Sequence, residues 1–278
     1  MFNPESLSEQ LFFTTTRIEI THNDDSRGAG TGFLFHIEKE GKKYIFLITN
    51  KHVIKNSKKG VLMFNINEDG KPLLGQTYGI NIDNFENVWI NHPSNEIDIA
   101  IMPFAPVVNE LEEIKKVKLY YKSIPDNLIP TEELIIDQID AIEEILFIGY
   151  PNNIFDRKNL IPVGRRGITA TPFAIDFEEK PVFLIDASVF PGSSGSPVFI
   201  CNVGSYSPKG KGLVVGHRFH FLGVLSSVFT LDEYSVVEPH EIPTRIIPIV
   251  RQRQMIDLGI VFKSRIIKEL IISTLRTG

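Results

Sequence analysis

Residues 188–199 read SVFPGSSGSPVF. Two glycines, four serines and two prolines in twelve residues specify a tight turn, and two readings of that turn compete. It is either a small-residue hairpin, since Gly and Ser fill many turns for backbone reasons alone, or a turn that presents a nucleophilic serine. The second reading requires a base and an acid elsewhere in the chain.

The chain has 278 residues, 42% hydrophobic and 23% charged, enough for one large or two small domains with a soluble globular profile. Lys plus Arg number 29 and Asp plus Glu 34, a net charge of −5, which argues against a general nucleic-acid binder. The basic clusters at 55–59 and 251–253 read as solvated faces. Cys201 stands alone, so no internal disulfide forms, in keeping with a reducing compartment. The opening MFNPESLSEQ has no basic segment followed by an apolar one, and no apolar run approaches a membrane span. These features give the expectation of a cytoplasmic protein with neither membrane nor nucleic acid as partner.

Outward from the turn, most of the chain reads as short strands. TRIEI, TGFLFHI, KYIFLIT, GVLMFNI, NVWINH and EIDIAIMPF precede it, and ILFIGYP, GRRGITATPF and PVFLIDAS lead into it. SPVFICNV and HFLGVLSSVF follow. This spacing predicts an all-β barrel or sandwich rather than βαβ units. Residues 110–145 are charged and contain two prolines, so they read as a connection, with a short helix around PTEELIIDQI. Near the end, Phe262, Ile266, Ile267, Leu270 and Ile271 recur at helical spacing and predict a closing amphipathic helix.

His52 directly follows the apolar stretch FLIT, and on its own such a histidine is more often structural than catalytic. In NEIDIAIMPF, Asp98 alternates with Ile97 and Ile99 and shares a side with Ala100 and Met102. Asp98 is then either a buried carboxylate that needs donors, a histidine N–H among them, or an edge-strand group facing water. The order His52, Asp98, Ser194 puts base and acid in one half and serine in the other, so a cleft between halves could assemble them.

Four blocks in this order, GTGFLF with FLITNKHVI, EIDIAIM, DASVFPGSSGSPVF and FLGVLSS, resemble the trypsin-like (chymotrypsin-fold) serine peptidases in their bacterial, HtrA-type form. The resemblance covers roughly residues 15–250 and implies a mainly β fold of two six-stranded antiparallel Greek-key barrels with a C-terminal helix. The corresponding division is 1–115 for the first barrel, 116–145 for the connection, 146–250 for the second barrel and 251–278 for the helix. It implies His52 as general base, Asp98 as its orienting acid and Ser194 as nucleophile. Gly192 and Ser194, with Ser193 between them, would form the oxyanion hole, and Gly195 would give the substrate room. Ser226 would support Asp98, while Ser188, Ser227 and Val228 would bind substrate. Without a carboxylate at Ser188 or a histidine at Leu225, an uncharged small to medium apolar residue is expected before the cleaved bond. No metal or organic cofactor is implied, and the expected partner is a protein or peptide substrate.

Two positions depart from the family. Ser193 stands where zymogens carry an aspartate, which argues against activation by N-terminal cleavage. Ser196 stands where glycine is usual. Both suggest an enzyme kept latent until the loop 188–193 is ordered, by an activating partner for instance. The α/β-hydrolase elbow is excluded, because it needs G-x-S-x-G and the order Ser, Asp, His. The rival class is a catalytically inactive peptide-binding module. GAGTG (28–32) lacks the Lys-Ser/Thr of a phosphate loop and reads as a tight hairpin. GRRG (164–167) reads as a solvated turn, His217 and His220 as loop residues lacking a third metal ligand, and Cys201 as a packed thiol. No appended peptide-binding module is expected after residue 250.

Overall fold

The computed structural model describes residues 2–232 and 253–277. The first half is a sheet of nine strands: β1 (Thr15–His22), β2 (Arg27–Lys39), β3 (Lys42–Thr49), β4 (Ser57–Glu68), β5 (Lys71–Asp83), β6 (Ile90–Asn91), β7 (Ala100–Pro103), β8 (Leu119–Tyr120) and β9 (Ile124–Pro125). Its order is β5-β4-β1-β2-β3-β7-β6, with β8 on β4 and β9 parallel to β2. Where a six-stranded first barrel was expected, the described residues thus form a nine-stranded sheet. Leu119 and Tyr120, expected in the connection, are buried and extend the ladder at Asn65 and Ile66.

The second half is a closed barrel of six strands in the order β10-β11-β12-β17-β16-β13. These are β10 (Glu144–Gly149), β11 (Val163–Thr169), β12 (Val182–Asp186), β13 (Pro197–Asn202), β16 (Arg218–Asp232) and β17 (Arg253–Lys263); β14 (Ser205–Tyr206) and β15 (Val214–Val215) pair in a separate hairpin. Among the described residues the α-helices are α1 (Leu7–Leu11), α2 (Lys51–Ile54), α3 (Ala105–Glu113), α4 (Glu132–Gln138) and α5 (Arg265–Thr277). α4 is the helix expected around PTEELIIDQI, capped by the Thr131 hydroxyl on the Leu134 N–H. No helix of the described residues is long and apolar enough to cross a membrane.

Several local expectations are corrected. GAGTG is not a turn but the start of β2. A Cβ at Gly30 would lie 2.6 Å from Val53 Cγ1 and one at Gly32 2.8 Å from Ile18 Cδ1, so these glycines permit close packing of an extended strand. GRRG lies inside β11, where a Cβ at Gly167 would meet the Asp186 carbonyl. Residues 253–263, expected in the closing helix segment, form the sixth barrel strand, and Phe262 belongs to it. His220 lies in β16 opposite Ile200 rather than in a loop.

The helix that does close this part of the chain shows why its apolar spacing was legible. Ile266, Ile267, Leu270 and Ile271 of α5 are all buried, in one core cluster with Phe33, Phe35 and Ile48 of the first sheet and Ile148, Phe199 and Phe221 of the barrel. The Phe221 ring centroid lies 5.4 Å from that of Phe33 and 5.6 Å from that of Phe199. Each such side chain contributes on the order of 2 kcal/mol by leaving water. This shared core fixes the two halves against each other.

Candidate active site

β3 delivers its last residue, Thr49, into the core, and the chain then turns into α2. Asn50, fully buried, begins that turn, and its amide Nδ2 donates to the Asp98 carbonyl oxygen at 2.7 Å. His52 follows on α2. Its backbone N–H donates to Asp98 Oδ1 at 3.0 Å, and its Nδ1 lies 2.6 Å from Asp98 Oδ2. Residues 50–52 thus hold both the backbone and the carboxylate of Asp98. Asp98 itself precedes β7 instead of lying on it, yet it is the largely buried carboxylate met by a histidine N–H, and the edge-strand reading falls.

The carboxylate has a third donor from the other half. The β16–β17 ladder steps from Leu225–Val261 to Ser227–Ile260, which leaves Ser226 in a bulge without a cross-strand partner. Bulges re-aim side chains next to sites. Here the Ser226 hydroxyl donates to Asp98 Oδ2 at 2.7 Å. Burial pushes the Asp98 carboxyl upward, but the His52 ring N–H, its charge, the Ser226 hydroxyl and the His52 backbone N–H outweigh it and hold the group below the usual range. An ionised carboxylate only accepts, so it is the Nδ1–H of His52 that donates to Asp98, and Nε2 is the ring nitrogen not engaged with it.

Ser194 joins the same chain of bonds. Its hydroxyl donates at 2.8 Å to the Ser226 carbonyl, the one freed by the bulge. Among the described residues no hydrogen bond runs directly from Ser194 Oγ to His52. His52, Asp98, Ser226 and Ser194 are therefore brought into one network, with the serine turned onto Ser226.

Each peptide of the turn that carries Ser194 can be accounted for. The Pro191 carbonyl accepts from the Asn152 N–H at 2.6 Å, and the Ser193 carbonyl from the Ser196 N–H at 3.0 Å. The Gly192 carbonyl accepts from Thr31 Oγ1 at 2.9 Å, and the Ser194 carbonyl from the Thr31 N–H at 3.0 Å. A trans peptide directs its N–H opposite its carbonyl. Four pinned carbonyls therefore fix four N–H directions. Two of these are used: Ser193 N–H donates to the Phe190 carbonyl and Gly195 N–H to that of Leu225. The N–H groups of Gly192 and Ser194 donate to nothing among the described residues. Ser193, expected to share in the oxyanion hole, has its N–H committed to the Phe190 carbonyl, and its hydroxyl is buried without a hydrogen-bond partner among the described residues. Gly192 (φ +90°) and Gly195 (φ +87°) adopt conformations that favour glycine, and a Cβ at either would strike a carbonyl, of Tyr150 or Thr31. Ser196, the second departure, is seated by another glycine: a Cβ at Gly149 would lie 2.1 Å from its hydroxyl oxygen.

Beside the turn, Ser227 is exposed and Ser188 and Val228 are half-buried. Val228 pairs with Gly259, where a Cβ would lie 3.1 Å from both Leu225 Cδ1 and Val189 Cγ2. Apolar side chains thus fill the space next to the expected pocket. His217 Nδ1 accepts from the Gly204 N–H, and burial holds the Cys201 thiol above its usual range. Thr31, Asn50 and Asn152 are the site residues that sequence reasoning missed. The first two lie within quoted blocks, but nothing in their spacing announces a partner more than 40 residues away.

Residues 30–204 match the family model of the trypsin-like peptidase domain. The comparison with curated proteins finds no match. Among solved structures, an HtrA-type protease, AlgW, with a tripeptide is 13% identical at a TM-score of 0.49, covering 97% of this chain and 62% of its own. A serine endoprotease from Yersinia pestis is 14% identical at 0.48, covering 99% and 68%. Tobacco etch virus protease complexed with product is 14% identical at 0.44, covering 82% and 73%. The chain therefore spans less than two thirds of the length of AlgW. The family match takes in more than half of the chain, and with it His52, Asp98 and Ser194, so this chain belongs to the trypsin-like peptidase family.

Proposed function

We propose that the chain is a serine endopeptidase in which Ser194 attacks the peptide carbonyl, His52 Nε2 takes its proton and later returns it to the leaving amine, and Asp98 holds the imidazole and stabilises its charged form. The observation that carries this reading is the bridge that Ser226 makes across the two halves: its hydroxyl donates to the carboxylate that holds His52, and its carbonyl accepts from Ser194. The N–H groups of Gly192 and Ser194 would receive the tetrahedral oxyanion, a form of stabilisation that commonly supplies the largest share of the rate. The substrate backbone would add as a strand along Ser227 and Val228. The apolar filling by Val189 and Leu225, with Ser188 uncharged, supports an uncharged, small to medium residue before the cleaved bond.

One element of latency belongs to the reading. The resting Ser194 hydroxyl is engaged with the Ser226 carbonyl, and a substrate or a partner protein that draws it towards His52 completes the catalytic group. The test is fluorophosphonate labelling read by intact mass, on wild type beside Ser194→Ala. One adduct on the wild type, lost in the variant, is expected. An adduct that persists in Ser194→Ala overturns the reading; folded wild type that takes none, with a crystal structure in which the Ser194 and His52 side chains cannot meet, leaves a peptide-binding module.

A further inference from the structure

Of the four carbonyls that set the nucleophile turn, three are held by backbone N–H groups and one, that of Gly192, by a side chain. The side chain is that of Thr31, fully buried in β2 of the first sheet, whereas the turn belongs to the barrel. The Thr31 hydroxyl donates to the Gly192 carbonyl at 2.9 Å and accepts from the Tyr150 N–H at 3.1 Å, so both its capacities are used. Its own carbonyl is held by Thr49 Oγ1 at 2.8 Å, and its N–H holds the Ser194 carbonyl. The seat is close: a Cβ at Gly149 would lie 2.8 Å from Thr31 Oγ1, and one at Gly195 would lie 1.9 Å from the Thr31 carbonyl oxygen.

We infer that Thr31 is a positioning residue of the hydrolytic site: its hydroxyl fixes the peptide between Gly192 and Ser193, and thereby keeps the N–H groups on either side, of Gly192 and Ser194, free and directed at the oxyanion. The inference rests on the reading of Ser194 as nucleophile. Its physical basis is that Gly192 is the one residue of this peptide without a Cβ to resist rotation. An isosteric valine at position 31 would leave both the Gly192 carbonyl and the Tyr150 N–H without their partner. The peptide would then turn to find another donor and would draw the Ser193 N–H off the Phe190 carbonyl. The set of aligned donors is lost while base and acid stay in place.

The experiment measures the rate of fluorophosphonate modification against reagent concentration for wild type, Ser194→Ala, Thr31→Val and Thr31→Ser. Thr31→Val is expected to lower the maximal rate roughly 10- to 100-fold, somewhat less than outright removal of an oxyanion donor, at an unchanged half-saturating concentration. Thr31→Ser keeps the hydroxyl and is expected to restore the rate to within about threefold of wild type. The low-field proton resonance of the His52–Asp98 hydrogen bond is expected in all of the position-31 variants. A Thr31→Val rate within about twofold of wild type overturns the inference and leaves the Ser194 reading intact. Should Thr31→Val fail to fold, Thr31→Ala takes its place, and loss of the low-field resonance in it overturns the inference by making Thr31 a purely structural residue. An adduct that persists in Ser194→Ala removes the Ser194 reading and the inference with it.

Discussion

Asp98 concentrates three donors on one carboxylate: two from His52, 46 residues before it, and one from Ser226, 128 residues after it. In Asp98→Asn the amide cannot accept at both places, and His52 loses the partner that fixes its tautomer. The rate of fluorophosphonate modification is expected to fall roughly 10⁴-fold, with the far-ultraviolet spectrum retained. The same carboxylate gives a pH dependence whose direction follows from its lowered folded value. Its contribution to stability is fully present above the unfolded value of about 3.9 and is lost as the pH falls through the folded one. Urea melts of wild type and Asp98→Asn from about pH 6 down to about pH 3 should therefore converge on acidification, and curves that stay parallel would show that the carboxylate carries no such linkage. The identity of this residue was legible in the sequence, but its environment was not. Alternation with Ile97 and Ile99 left burial and exposure equally open, because the donors that decide between them come from distant parts of the chain.

At the scale of the element, glycine separates the elements that were read well from those that were not. Turn 188–196 was legible because its two positive-φ glycines flank Ser194 in a frame with few other uses. GAGTG and GRRG were misread as turns because glycine also occurs where strands pack closely, and nothing local distinguishes the two uses. The difference is testable at Gly195. Alanine there combines φ +87° with a Cβ 1.9 Å from the Thr31 carbonyl oxygen, so the turn must shift. Gly195→Ala is expected to keep the fold but to lose label on Ser194 at least roughly 100-fold. Labelling near the wild-type rate would mean that the turn relaxes without moving its donors. Strand limits in the first half were less legible. β6 and β7 cover only two and four residues, whereas the runs NVWINH and EIDIAIMPF suggested longer strands. The reason is physical: Asp98 must leave the ladder to meet His52.

For the whole molecule, the shared core joins the two halves that the sequence divides at residues 116–145. Ile267 of α5 is fully buried in the cluster that contains Phe35 of the first sheet and Phe221 of the barrel. Ile267→Ala is expected to cost roughly 2–5 kcal/mol, read as a lower urea midpoint of a single transition. Two separated transitions would show that the halves unfold independently. The amphipathic spacing predicted this helix, but periodicity says only that a face is buried, and the partner of that face becomes visible once the strands are placed.

The barrel order sets a further consequence, for the timing of biogenesis. β17, residues 253–263, lies between β12 and β16 and completes the ring. A ribosome therefore extrudes His52, Asp98, Ser194 and Ser226 before the strand on which the Ser226 bulge is templated. The nascent chain holds every reactive group of the site but has no ladder to hold the bulge that links Ser194 to Asp98. On the proposed reading, the emerging polypeptide would therefore have no assembled site until residue 263 has left the exit tunnel.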